Sequence, residues 1–352
     1  MRIGLLTSGG DAPGMNAAIR SVVKASIARG HTAIGIRNGY EGLLAGNVVE
    51  LKLSDVDGIS RFGGTLLGSA RSKHFPTAQG QADARVQLAA IGLDGLVVIG
   101  GNGSLAGAHA LADGKPCQVV GLPASIDNDI GHSRLCIGVD TAVNTIVEAC
   151  DRISDTARAH RRAFVVEVMG RHSGYLAMRA GIAADADAIL YAEEGTDEET
   201  LVQRLRGLLR DSFSDARDKK RVLIIKAEGV EVPTSRLVSR LAAFLDEDVP
   251  GVGIRETILG HVVRGGSPSA LDRLIAQRLA LGAVLGLEAG AHDAMLAWEG
   301  PDDVGSATRD PSVRVVPLQD VLDETARMLD GTSRSTQARV ALLQAYGALL
   351  AL

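Results

Sequence analysis

Gly95-Leu-Val-Val-Ile-Gly-Gly-Asn-Gly-Ser104 reads as a short, wholly apolar strand, a glycine-dense turn, and then a helix from Leu105. A strand apolar on both faces belongs inside a parallel sheet covered by helices. The chain opens in the same way. Ile3-Gly-Leu-Leu6 enters Thr7-Ser-Gly-Gly-Asp-Ala-Pro-Gly-Met-Asn16, after which Met15, Ala18, Ile19, Val22, Val23 and Ile27 recur at helical spacing until Gly30. Two such turns on βα units predict a doubly wound sheet, with ligand at the C-terminal edge of its strands. There, backbone N–H groups and helix N-termini favour phosphate. Neither turn is a Walker loop or a dinucleotide fingerprint, and a tight βα turn accounts for each taken alone.

Gly121-Leu-Pro-Ala-Ser-Ile-Asp-Asn-Asp129 follows the apolar run Cys117-Gln-Val-Val120, which reads as the end of another buried strand. Ser125, Asp127 and Asp129 alternate, so in an extended segment a hydroxyl and two carboxylates share one face. Such a group suits phosphate, metal or an alcohol proton. The same residues equally describe a turn whose Ser and Asp side chains bond their own backbone.

Ala33-Ile-Gly-Ile36 predicts a strand leading to Tyr40, and Gly63-Gly-Thr-Leu-Leu-Gly-Ser-Ala-Arg71 a glycine-dense loop ending on an arginine fork. Ile137-Gly-Val-Asp-Thr-Ala142 opens a helix through Cys150. Phe164-Val-Val-Glu-Val168 then feeds Met169-Gly-Arg-His-Ser-Gly174, a third strand-to-glycine turn, preceded by Arg161 and Arg162. Helices at roughly 197–212 and 234–246 flank the strand Arg221-Val-Leu-Ile-Ile-Lys-Ala-Glu228. Alternation across 255–264 predicts a strand ended by Gly265-Gly-Ser-Pro268, before a helix over 270–288. Arg255, His261 and Arg264 place two fixed cations and a titratable donor within that strand, close to glycines, where an anion is held more often than not. Beyond about 298 the pattern weakens, with a helix and a terminal apolar helix, 335–352, expected to pack on the body or on a neighbouring subunit.

At 352 residues the chain has room for two domains, or for one large α/β domain with additions. Hydrophobic residues at 46% and charged residues at 22% describe an ordinary globular protein. Aromatics at 3% leave few stacking platforms for single strands. A net charge of −5 argues against general nucleic-acid or membrane-surface binding. Cys117, Cys136 and Cys150 lie in or beside apolar runs without CxxC spacing, as buried thiols in a reducing compartment do. The opening apolar core is too short for a signal peptide, and no stretch reaches membrane-spanning length. A cytoplasmic protein is expected.

Five of these stretches, in this order over residues 1 to about 290, resemble the phosphofructokinase family and most of all its bacterial ATP-dependent branch. They are Thr7–Arg20, Gly63–Arg71, Ile126–Asp129, Val165–Arg171 and Arg255–Arg273. The resemblance implies two doubly wound α/β domains with the active site in the cleft between them. Residues 1–138 plus about 263–305 would form the larger, donor-binding domain, and 139–262 plus about 306–352 the smaller, sugar-phosphate-binding one. It implies phosphoryl transfer from ATP, with Mg²⁺, to the C1 hydroxyl of fructose 6-phosphate, the step of glycolysis that yields fructose 1,6-bisphosphate. Asp127 would accept the hydroxyl proton, while Arg171, Ser125, Arg71 and the Gly10 N–H steady the transferring group. Met169, Gly170, Glu228, His261 and Arg264 would line the sugar phosphate with Asp129 nearby, and Arg162 and Arg255 would reach it from an adjacent subunit of a homotetramer or dimer. Tyr40, Arg71, Gly101, Asn102, Gly103, Ser104 and Gly107, with Gly10, would line the donor.

Several positions depart from the family pattern. Asn102 stands where a carboxylate associated with the donor's Mg²⁺ is usual, and Ser125 replaces Thr. Ala124 matches neither the Gly of ATP users nor the Lys of pyrophosphate users, whereas Gly103 favours ATP over pyrophosphate, whose users tend to carry Asp there. In the bacterial effector site Arg20 is kept, Lys24 replaces Arg and Ser154 stands where Arg is expected. The alternatives are a pyrophosphate-dependent enzyme, a kinase of another sugar phosphate, and a catalytically weakened paralogue that binds sugar phosphate.

Overall fold

In the computed structural model, which describes residues 1–300 and 310–350, the glycine turns of the sequence stand at the ends of buried parallel strands. The elements run β1 (Arg2–Ser8), α1 (Met15–Ala28), β2 (Thr32–Ile36), α2 (Gly39–Leu44), β3 (Val48–Leu51), α3 (Ala78–Ile91), β4 (Gly95–Gly100), α4 (Asn102–Ala112) and β5 (Gln118–Pro123). They continue with α5 (Val139–His160), β6 (Arg162–Val168), α6 (Tyr175–Ala183), β7 (Ala188–Leu190), α7 (Glu198–Ser212), β8 (Arg221–Ala227), α8 (Thr234–Asp248) and β9 (Gly253–Ile258). The chain closes with α9 (Ala270–Glu288), β10 (Ala294–Trp298), β11 (Val313–Pro317), α10 (Leu318–Leu329) and α11 (Arg334–Leu350).

Two units result, Met1–Thr141 with Arg264–Met328, and Ala142–Val263 with Leu329–Leu352. The first holds a seven-stranded sheet in the order β11-β10-β5-β4-β1-β2-β3, parallel from β10 to β2 with antiparallel edges at β11 and β3. Ile3, Leu5, Leu6 and Leu96 to Ile99 are inaccessible to solvent, each side chain contributing about 1.5–3 kcal/mol relative to exposure. From β1 the chain moves outward to β2 and then returns to place β4 on the other side, so the strand order reverses between β1 and β4. Ser8 pairs with Gly100, and Gly100 with Pro123, so the turns that follow β1, β4 and β5 leave one edge side by side. The second unit holds a four-stranded parallel sheet, β7-β8-β6-β9, with a core of Val165, Val222 and Ile224 against Leu205, Leu241 and Phe244.

Several expectations are corrected. The alternation over 255–264 does not continue as a strand. β9 ends at Ile258, and Gly260, in the left-handed region at φ 51°, starts a 3₁₀ turn over Gly260–Arg264. α4 begins at Asn102 rather than Leu105, with Gly101 as its N-cap. Residues 306–352 were expected in the smaller domain. However, β11 pairs with β10, and α10 belongs to the first unit as far as Met328, because the apolar run Ala294–Trp298 is a buried strand with an edge open to pairing. The expected boundary near 305 and the last two residues of the expected 335–352 helix lie outside the described residues. All three cysteines are buried and free, and burial pushes the Cys117 thiol up to about 12 and Cys150 up to about 11, values of unreactive thiols. No helix among the described residues is long and apolar enough to cross a membrane.

Candidate active site

The turn after β5 is not extended. Ser125 Oγ accepts the Asp127 N–H at 3.3 Å and donates to Asp129 Oδ1 at 3.0 Å. Asn128 takes a left-handed φ of 47°, and its buried side chain accepts the Cys136 N–H at 2.9 Å and donates to the Arg134 carbonyl at 3.2 Å. The shared face predicted from alternation is therefore replaced by a turn, which Asn adopts more easily than most residues. Ser125 and Asp129 still meet, while Asp127 is half-buried at the turn's crest.

The N-terminus of α4 faces this turn. Asn102 Nδ2 donates to Asp129 Oδ2 at 2.6 Å, so Asp129 receives one hydrogen bond on each oxygen. With its amide N–H₂ so used, Asn102 Oδ1 is buried without a hydrogen-bond partner, and so is Ser104 Oγ. Buried orphan acceptors are rare in proteins and mark a place completed by something else. A Cβ built on Gly103, the exposed residue between them, would meet nothing within 4 Å outside its chain neighbours. An Asp at 102 would set a second carboxylate against Asp129 where the amide now donates. Asn102→Asp is therefore expected to destabilise the metal-free protein by about 1–3 kcal/mol. Thermal unfolding with and without Mg²⁺ reads this out. The variant's midpoint should fall without the ion and recover with it by more than the wild type gains, and equal gains would discard the reading.

The turn after β1 is braced from several sides. Thr7 Oγ1 meets Thr65 Oγ1 at 2.7 Å and donates to the Gly68 carbonyl at 2.9 Å, while Ser69 Oγ donates to the Gly9 carbonyl at 2.7 Å. Buried Asn16 donates to the Phe62 and Gly63 carbonyls and accepts the Leu66 N–H. The loop that ends on exposed Arg71 is thereby fastened to the glycine turn. Arg264, expected at the sugar phosphate, sits in this unit. Its Nη1 donates to the Asp11 carbonyl at 3.1 Å and would be 2.6 Å from a Cβ on Gly10, so the guanidinium lies against this turn. Tyr40 and Gly107, expected against the donor, pack against each other. Tyr40 is 5% exposed and stacks on Phe75 with ring centroids 3.9 Å apart. Its hydroxyl donates to the Ser104 carbonyl at 2.5 Å, and burial holds the phenol well above its ordinary pKa. A Cβ on Gly107 would strike the Tyr40 ring at 2.7 Å.

The second unit gathers another set. Met169, Gly170 and Arg171 follow β6, Glu228 follows β8, and His261 lies on the 3₁₀ turn after β9, all at the C-terminal ends of neighbouring strands. Gly170 has φ 131°, and a Cβ there would lie 2.4 Å from the Ser173 carbonyl, so the turn requires glycine. Arg171 and His261 are exposed, and Glu228 is half-buried. Arg162 and Arg255 lie elsewhere. Both reach within 4 Å of a Cβ position on Gly253, and Arg162 begins the strand that Arg171 follows, about 20 Å away by strand rise. One copy of this sheet does not place both arginines with Arg171. Asn128, Asn16 and Thr7 were not singled out as site residues, although each lies inside a glycine-turn motif.

A phosphofructokinase family profile matches residues 2–287. An ATP-dependent 6-phosphofructokinase of Thermotoga neapolitana is 47% identical over 299 residues, covering 85% of this chain and 90% of that protein. ATP-dependent 6-phosphofructokinase 1 of Thermus thermophilus is 46% identical over 295 residues, covering 84% and 88%. Among solved structures, phosphofructokinase from Saccharomyces cerevisiae superposes with a TM-score of 0.82 at 33% identity, covering 97% of this chain and 48% of the yeast chain. A pyrophosphate-dependent phosphofructokinase from Marinobacter aquaeolei shares the fold with a TM-score of 0.76 at 20% identity, covering 91% and 84%. With that profile match over most of its length and relatives 46–47% identical, this chain belongs to the phosphofructokinase family.

Proposed function

We propose that the chain is an ATP-dependent 6-phosphofructokinase, acting in glycolysis on fructose 6-phosphate to give fructose 1,6-bisphosphate. The observation that carries this reading is the alignment, on one sheet edge, of a glycine turn, a helix N-terminus with two orphaned buried oxygens, and the turn bearing Asp127. Phosphoryl transfer asks for positioning and compensating charge more than for covalent participation by the protein. Asp127 takes the proton of the sugar's C1 hydroxyl, whose oxygen bonds the γ-phosphorus as the bond from that phosphorus to the β–γ bridging oxygen breaks and ADP leaves. The Gly10 N–H, Ser125, Arg71 and Arg171 offset charge on the transferring group. Gly101, Gly103 and Ser104 leave space for the donor phosphates. Met169, Gly170, Glu228, His261 and Arg264 hold the sugar phosphate, Asp129 orients Ser125 and Asn102, and one Arg264 N–H also braces the Gly10 turn.

The residues present fit Mg²⁺. Asn102 Oδ1 is an oxygen waiting for a partner, Asp129 supplies a carboxylate beside it, and this ion needs only one or two protein oxygens when phosphates and water complete its shell. When bound, the ion neutralises donor phosphate charge. The separation of Arg162 and Arg255 from Arg171 supports assembly with a second copy, as a homotetramer or dimer. Free thiols and the glycolytic reaction favour the cytoplasm.

A matrix of ATP and pyrophosphate against several sugar phosphates, with and without Mg²⁺, tests the whole reading. Transfer from ATP to fructose 6-phosphate should dominate and need the ion. No transfer in any cell of the matrix would sink it and leave a sugar-phosphate-binding paralogue. Donor choice has its own test at Gly103. An Asp there would fill the open space with charge and still suit a helix first turn. Gly103→Asp should raise KM for ATP about tenfold or more without lowering the thermal midpoint. An unchanged KM would remove Gly103 from donor recognition.

A further inference from the structure

Lys226 is 1% exposed, the largest wholly buried side chain among the described residues. It sits at the top of β8, directly across from Glu167 on β6, and its Nζ lies 3.1 Å from Glu167 Oε2. The same carboxylate oxygen accepts a hydrogen bond from Thr234 Oγ1 at the start of α8. The Glu167 carbonyl accepts the Leu259 N–H at 3.0 Å, just before the 3₁₀ turn that carries His261. One residue on β6 therefore ties β8, α8 and the exit of β9 together. The backbone repeats the pattern one step further on. Glu228 N–H donates to the Val168 carbonyl at 2.9 Å and Gly229 N–H to the Gly170 carbonyl at 3.2 Å, and a Cβ on Gly229 would come 2.3 Å from the Arg171 carbonyl.

We infer that Lys226 and Glu167 are a positioning pair for the sugar-phosphate loops, a role that rests on the function proposed above. Two physical terms support it. A buried ammonium is tolerated only while paired, so the pair holds β6 and β8 in the one register that brings Met169–Arg171 beside Glu228. The ammonium also cancels the Glu167 charge, which would otherwise lie beneath loops meant to receive an anion. Neither residue touches substrate in this account.

Steady-state kinetics and calorimetric titration of fructose 6-phosphate on the full chain test the inference. Lys226→Met should raise both KM and Kd for the sugar phosphate about tenfold or more, with KM for ATP within about twofold. Lys226→Arg, which keeps the charge, should stay within about threefold of wild type. Unchanged sugar-phosphate constants, or equal shifts for both substrates, would overturn the role and leave the pair a matter of stability. Should Lys226→Met fail to fold, Lys226→Gln keeps a donor on Glu167 without the charge and is read by the same split. A wild-type chain that binds no sugar phosphate overturns the proposed function and this inference with it, whereas wild-type binding unaffected by the variants overturns this inference alone.

Discussion

Asp127→Ser should lower kcat by about 10²- to 10⁴-fold while leaving the Kd for fructose 6-phosphate within about threefold of wild type. The asymmetry follows from what a general base does, since it acts on a proton that moves only in the transition state. Serine suits the turn, and the hydrogen bond from the residue 127 N–H to Ser125 Oγ is made by backbone and survives the substitution. Single-turnover kinetics and calorimetry of the sugar phosphate separate the two quantities. If affinity falls in step with turnover, Asp127 is a binding or structural residue and the proton-transfer role is lost.

The second large effect is expected on folding. Asp272 is inaccessible to solvent, yet its carboxylate accepts the Gly138 N–H at 2.8 Å, the Thr141 N–H at 2.7 Å and the Thr141 hydroxyl at 2.5 Å. It thereby joins the start of α5 to the start of α9, beside Ile137, whose N–H bonds the Pro123 carbonyl immediately before the acidic turn. Asp272→Ala leaves two buried N–H groups without acceptors and should cost about 3–5 kcal/mol, measured by chemical denaturation. Burial raises the Asp272 pKa, and hydrogen bonds from Thr141 and Gly138 offset this only in part. The sign follows. The folded protein holds this proton at a pH where the unfolded chain has released it, so the group's contribution is largest below the ordinary carboxylate value. It declines as pH rises through the elevated value and is constant above. Asp272→Asn should remove that slope, which starts at the ordinary carboxylate value and extends above it. An identical slope in the variant would show that another group titrates.

Much of the fold was legible because strand–turn–helix units are local. An apolar run followed by glycines and a 3.6-residue period identifies β1, β4 and β6 with their turns wherever they end up in space. Residues whose meaning depends on a distant partner were less legible. Arg264 lies in a basic stretch and reads as an anion ligand, and only the fold shows that one of its N–H groups also braces the Asp11 carbonyl. Tyr40 reads as an aromatic beside a ligand, but the chain stacks it under α4. Lys226 stands in the strand Arg221–Glu228 with nothing local to mark it, and only the fold shows it buried across from Glu167. Asn102 reads as a lost charge. In the fold it is an internal donor that satisfies Asp129 and leaves an oxygen unpaired.

The amino-acid order alone determined which turns carry glycine, which carry acid and which carry arginine, since these depend on backbone freedom and side-chain chemistry within a few residues. Which of those turns stand side by side was decided only by the tertiary structure. Strand order arises from hydrogen bonds between segments tens of residues apart, as when Ser8 meets Gly100 and Gly100 meets Pro123, and no local pattern encodes that choice.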